Sequence, residues 1–154
     1  MRNWVLCVVV AANCWGQALG TWKMIPAKSR QSSGPLAQAI TVKYEARSTE
    51  AHAQAETWTY YEIRTAGMSE TTSQTLRFDG KEYPCGDLGL EERPDTVVST
   101  KLDARTAEVS YKKAGRVIRR VVRTASTDGK HMTLEVLIIP EQGPAAEHLM
   151  VFGR

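Results

Sequence analysis

Past residue 17 the chain alternates between apolar and polar positions with a period of two. In "ITVKYEA", Ile40, Val42, Tyr44 and Ala46 share one face, and Thr41, Lys43 and Glu45 share the other. In "AEVSYK", Ala107, Val109 and Tyr111 oppose Glu108, Ser110 and Lys112. In "MTLEVLI", Met132, Leu134, Val136 and Ile138 oppose Thr133, Glu135 and Leu137. Period two with one polar face predicts strands of a sheet that is covered on one side. Turn signals recur between these segments: "FDGKEY", with the hairpin pair Asp79-Gly80, then "LDARTAEV", "KKAGRV", "STDGKHM" and "EQGPAAE". The pattern predicts about ten strands, at 19–24, 39–46, 55–65, 69–78, 81–85, 95–102, 106–113, 116–124, 131–139 and 146–153. No helical period appears.

Short connections predict that neighbours in sequence pair antiparallel. An open sheet of that size would leave two long edges, and closure removes them. The expected fold class is therefore all-β, an antiparallel up-and-down β-barrel of about ten strands, with a β-sandwich as the alternative. A membrane barrel fits badly, because the outward positions of the clean strands carry Lys and Glu. Residues 25–38, "IPAKSRQSSGPLAQ", break the alternation and read as a short lid or plug. "STEAHAQAE", residues 48–56, reads as a long hairpin tip.

The first residues follow another logic. Arg2 precedes the apolar run "WVLCVVVAA", and the small residues of "ANCWGQALG" follow it. This is the layout of a secretory signal, and the run is too short for a membrane span of ~20 residues. The expected organisation is a signal peptide at 1–16 and one barrel domain at 17–154. Cleavage after Gly16 leaves Gly20 in the first strand; cleavage after Cys14 or Gly20 is the alternative, and Asn13 argues against lipidation of Cys14. Loss of the leader removes Arg2 and no acid, lowering the formal +3 of the 154-residue chain by one. So balanced a charge gives no basic stripe for nucleic acid. Cys7 and Cys14 fall in the leader, which leaves Cys85 alone and no disulfide framework.

Gly20-Thr21-Trp22 on the first strand looks like the G-x-W signature of lipocalins and fatty-acid-binding proteins. In those families the Trp plugs the closed end of the barrel and the Gly lets the backbone pass closely. The resemblance implies that Gly20 and Trp22 are structural. The pieces "GTWKMIPAKS", "FDGKEYP", "DTVVSTKLDARTAEV", "KKAGRV" and "STDGKHMTL" extend it: the chain resembles small secreted bacterial lipocalin-like proteins. This implies a fold and no activity, since function lies in sites rather than folds. Fatty-acid-binding proteins clamp a carboxylate with an Arg-x-Tyr pair on the last strand. Met150 and Phe152 stand there in "EHLMVFGR", so that clamp does not carry over.

Candidate chemistry is sparse. His52, His131 and His148 are scattered and read as surface residues rather than metal ligands. Cys85, in the turn "YPCGD", reads as an inert small thiol. No nucleophile elbow is present, so no catalytic residue, cofactor or enzymatic activity is expected. Lumen candidates are Tyr44 and Tyr111, on the apolar faces of their strands, together with Trp58 and Tyr60 in "ETWTYYEIR". The last two point inward if even positions do. The lower charge of the odd face instead puts Trp58 and Tyr60 outside. "RVIRRVVR" presents the same ambiguity. A regular strand puts Arg119 or Arg120 in the lumen, paired with Glu56, Glu62 or an anionic ligand. A bulge at Arg119-Arg120 would let both face water, and avoiding a buried charge favours it.

The expected function is binding of a small apolar or anionic amphiphilic ligand by an exported, secreted or periplasmic monomer. The alternative is a structural or interaction protein of the cell envelope with a filled barrel.

Overall fold

The computed structural model describes residues 18–49, 52–63 and 67–154. The proposed leader at 1–16 lies outside them, and so do Arg64 and the side chain of His52. The strands are β1 (Gly20–Met24), β2 (Arg30–Gln31), β3 (Ala39–Thr49), β4 (His52–Ile63), β5 (Ser69–Leu76), β6 (Asp79–Pro84), β7 (Thr96–Lys101), β8 (Thr106–Lys113), β9 (Arg116–Ala125), β10 (His131–Ile138) and β11 (Ala146–Gly153). They form one antiparallel sheet in the order β5-β4-β3-β1-β11-β10-β9-β8-β7-β6, with the two-residue β2 added to β11. The architecture is all-β, a half-barrel of ten main strands in up-and-down order.

The alternation fixes which face turns inward. Ile40, Val42 and Tyr44 of β3 are buried, as are Ala107, Val109 and Tyr111 of β8 and Met132, Leu134 and Val136 of β10. Turn chemistry fixes the registers. Ala114 and Gly115 both have positive φ, 47° and 76°, between the paired Lys113 and Arg116. That is the left-handed pair a two-residue hairpin requires. Asp103 Oδ1 accepts from the backbone N–H of Arg105 and of Thr106, closing the β7–β8 turn.

Three expectations give way. Residues 48–56 are not a long tip: over the described part of that stretch β3 runs to Thr49 and β4 starts at His52, and the two pair there across a register shift near Arg47. The Asp79-Gly80 pair makes no hairpin: among the described residues no ladder joins β5 to β6. Gly80, at φ 74°, instead stands in a register shift on β6 against β7. Residues 25–32 run along β11 rather than over the barrel, and only Leu36 and Ala37 of the stretch 25–38 pack on the core. A single 3-10 turn at Pro26–Lys28 interrupts a run along β11, held by Ile25 N–H to Val151 O at 2.7 Å and Ser32 N–H to Glu147 O at 3.1 Å.

The core is one continuous cluster, and its closed end is built around Trp22. The indole is fully buried and donates Nε1–H to Ala18 O at 2.8 Å. The Arg154 guanidinium lies 4.3 Å from the ring centroid and donates to Leu19 O at 2.6 Å. Gly20 adopts φ 107°, a conformation side chains avoid, as the backbone passes beneath that arginine. Phe152 is also fully buried in this core.

Candidate functional site

β4 decides the interior. Its even positions face inward: Glu56 and Trp58 are buried, Tyr60 and Glu62 half-buried, and Tyr61 is exposed. The expectation that the less charged odd face turns inward is therefore wrong. Charge misled it, because Glu56 is neutralised inside. Arg123 Nη1 lies 2.8 Å from Glu56 Oε2, Nη2 lies 3.4 Å from Oε1, and Lys101 Nζ pairs with Oε1. Trp58 Nε1–H donates to the same carboxylate at 2.8 Å.

Among the described residues this cluster holds Arg123, Lys101 and the Glu56 carboxylate, and aromatic faces add to the pairing: the Arg123 guanidinium lies 4.6 Å from the Tyr44 ring centroid and 4.7 Å from that of Trp58, and Lys101 Nζ lies 4.4 Å from that of Phe78. Arg123 Nε is buried without a partner. Burial alone would raise the Glu56 carboxyl, but the attraction and hydrogen bonds of Arg123 and Lys101 outweigh it and hold the group below its ordinary 4.5. Burial pushes the Tyr44 hydroxyl well above the usual tyrosine range.

Above this layer the core is hollow. A cavity of about 210 Å³ opens toward the end of the barrel away from Trp22, with Tyr44, Trp58, Tyr60, Tyr111 and Arg119 in its wall. Tyr44 and Trp58 meet edge to face at 4.9 Å. The remaining wall is mostly aliphatic, from Val42, Val121, Leu134, Val136 and Met150. Tyr60 Oη donates to Glu62 Oε2 at 3.2 Å. Gln74 Nε2 donates to Tyr111 Oη, whose burial pushes the phenol up to about 12. Five of the six lumen candidates thus line one space.

Arg120 does not. It is exposed on the outer face and binds Glu108, with Nε 2.9 Å from Oε2. A bulge does occur on β9, one step earlier than expected. Tyr111 pairs with Arg119 but Lys112 pairs with Val117, so Ile118 is the extra residue. Ile118 and Val121 are buried, as the bulge predicts, yet Arg119 turns to the cavity instead of to water.

The loop between β6 and β7 forms part of the cavity wall. Leu88, Gly89 and Leu90 line the cavity beside the unpaired β5 edge. Gly89 has φ 66°, and a Cβ there would run into the Glu70 carboxylate of β5. The loop is pinned at its base by Cys85 N–H to Asp95 O at 2.8 Å, and further out by Arg93 to Asp87 at 3.2 Å and Arg116 to Glu92 at 2.8 Å. Burial pushes the Cys85 thiol up, away from the reactive thiolate. His148 is not a free surface residue: Nδ1 is buried without a partner, and burial and the Arg119 charge hold its pKa below 6.5. Among the described residues no three His, Cys, Asp or Glu side chains gather as metal ligands would.

Sequence reasoning missed Arg123, Lys101 and Leu88–Leu90. The odd parity that runs from Val121 through Arg123 to Ala125 was the available signal for Arg123.

No family model matches the sequence, and no curated protein matches it. Solved structures do. Zebrafish ileal bile acid-binding protein, complexed with cholic acid, superimposes with a TM-score of 0.52 over 90% of this chain and 98% of that one, at 10% identity. An S-type phycobiliprotein lyase of Guillardia theta gives 0.44 over 91% and 89%, at 8% identity. The first likeness establishes the fold, which is that of fatty-acid-binding proteins and lipocalins.

Proposed function

We propose that this chain is an exported, non-enzymatic, monomeric binding protein that holds a small, partly apolar molecule inside the barrel. The carrying observation is the hollow above Tyr44 and Trp58: a largely aliphatic and aromatic wall with a few polar groups at one end, as ligand sites have. A precedent supports it, because the zebrafish ileal bile acid-binding protein, which shares this fold, is complexed with cholic acid. The charged start, apolar run and small residues at 1–16 support export to a secreted or periplasmic location.

One observation favours a second reading, a filled structural or interaction protein of the envelope. The half of the barrel around Trp22, Phe152, Met132 and Arg123 is packed solid. Native mass spectrometry of protein purified from its own envelope tests both. A retained small molecule supports the carrier, while an unliganded mass that no lipid or metabolite extract shifts favours the filled barrel. The same spectrum reports the export step, since a mass beginning at or near Gln17 is expected.

A further inference from the structure

The open end of the cavity carries an arginine, Arg119. Arg119 is half-buried in the wall, and among the described residues it makes no hydrogen bond or ion pair. A guanidinium withdrawn from water without a partner is costly. The chain reaches this arrangement through a bulge, a device that re-aims a side chain. Without Ile118 as the extra residue, the parity that buries Val121 would be lost.

The surroundings fit an acceptor placed against Arg119. Tyr111 lies directly across on β8, with its hydroxyl joined to Gln74. The acids of the wall, Glu62 and Glu70, stand on β4 and β5, and Glu62 already accepts from Tyr60. Below these groups the wall turns aliphatic and ends on the Tyr44–Trp58 pair, which is backed by Arg123. The floor is therefore solid. At about 210 Å³ the space is smaller than the ~300–1,000 Å³ of drug-sized sites.

Resting on the carrier reading above, we propose that the ligand is a small monocarboxylic acid. Its carboxylate is anchored by Arg119, and its short apolar body rests on Tyr44 and Trp58. A planar two-oxygen head matches the guanidinium fork. The short body follows from the closed floor.

Quenching of Trp58 fluorescence by matched probes tests this, using the mature chain. Hexanoate and phenylacetate are expected to bind about tenfold or more tighter than hexanamide and phenylacetamide, as a charge-assisted contact implies. Hexadecanoate should bind more weakly than hexanoate. Arg119→Met should erase the acid-over-amide preference, and Arg119→Lys should keep part of it. Arg120→Met, on the outer face, should leave it intact. Near-ultraviolet circular dichroism checks that each variant is folded. Amides binding as well as acids, or hexadecanoate binding best, overturns the proposal while the carrier reading stands. Failure of every probe, acid and neutral alike, also overturns the proposal, and the carrier reading is then decided by the retained-ligand measurement above.

Discussion

Arg123 of β9 and Glu56 of β4 meet across the inside of the barrel, 67 positions apart in sequence, with Nη1 2.8 Å from Oε2. Arg123 is 1% exposed and Glu56 5%. Removing one member leaves the other buried and uncompensated, which costs ~3–5 kcal/mol. Arg123→Met should therefore destabilise strongly in urea unfolding. The double change Arg123→Met with Glu56→Leu should cost less than the two singles added, because each single strands a partner. Strict additivity would show that the pair is not energetically coupled.

The same carboxylate sets an acid limit. The folded pKa of Glu56 lies below 4.5, so its contribution is present above that value and is lost as pH falls through the folded one. His148, depressed below 6.5, adds an earlier step with the same direction: the unfolded chain binds its proton first, so stability falls as pH drops below 6.5. Stability measured from pH 7 to 3 should decline in two stages. His148→Gln should flatten the first and Glu56→Gln the second. A first stage unchanged in His148→Gln would assign it elsewhere.

Trp22 fills the closed end with its full side chain. Trp22→Ala should cost ~3–5 kcal/mol through lost burial and a cavity. Arg154→Met, which removes a contact at the rim, should cost about 0.5–1 kcal/mol. A loss under about 1 kcal/mol for Trp22→Ala would contradict its burial.

Ala114 holds φ 47°, where a Cβ is strained by about 1–2 kcal/mol. Asn tolerates that conformation and suits the first position of the turn. Ala114→Asn should raise the unfolding midpoint, with a gain of up to about 1 kcal/mol. The bond from its backbone N–H to Asp95 Oδ2, 2.8 Å, is unaffected by the side chain.

The β6–β7 loop is held at its base and by side-chain contacts around Gly89. Gly89→Ala adds a Cβ against Glu70 at a positive φ, so it should loosen residues 86–94 while leaving the sheet intact. Hydrogen exchange should quicken in that loop and stay unchanged in β8 and β10. Uniform protection would show that the loop is fixed by more than these contacts.

The strands were legible because both signals that define them are local: alternation within a strand and turn residues between strands. Tyr44 and Tyr111 were read onto the inward faces of their strands for that reason, and both are buried there. What failed depends on partners distant in sequence. Glu56 made the even face of β4 look solvent-facing, since the cations that neutralise it come from β7 and β9. The bulge on β9 is set by its register with β8, so "RVIRR" allowed it without locating it. Asp79-Gly80 carries a hairpin signal, yet its strand pairs with β7 alone, and the β6–β7 loop occupies the gap instead. "CGDLGLEERP" has no alternation, so nothing in it marked Leu88 as a wall of the cavity.

The placement of β1 between β3 and β11 has a consequence for biosynthesis. β1 makes its second ladder with a strand more than a hundred residues later, where Met24 lies opposite Phe152. A ribosome delivers the first partner, β3, well before the second, β11. Until residues 146–153 emerge, the nascent chain lacks Met150 and Phe152 from its core and leaves one side of β1 open. Such non-local pairing gives a high contact order and slow folding. The β1 edge and the part of the core that Met150 and Phe152 fill can therefore form only after β11 has been made, so this region should be the last to gain protection from protease.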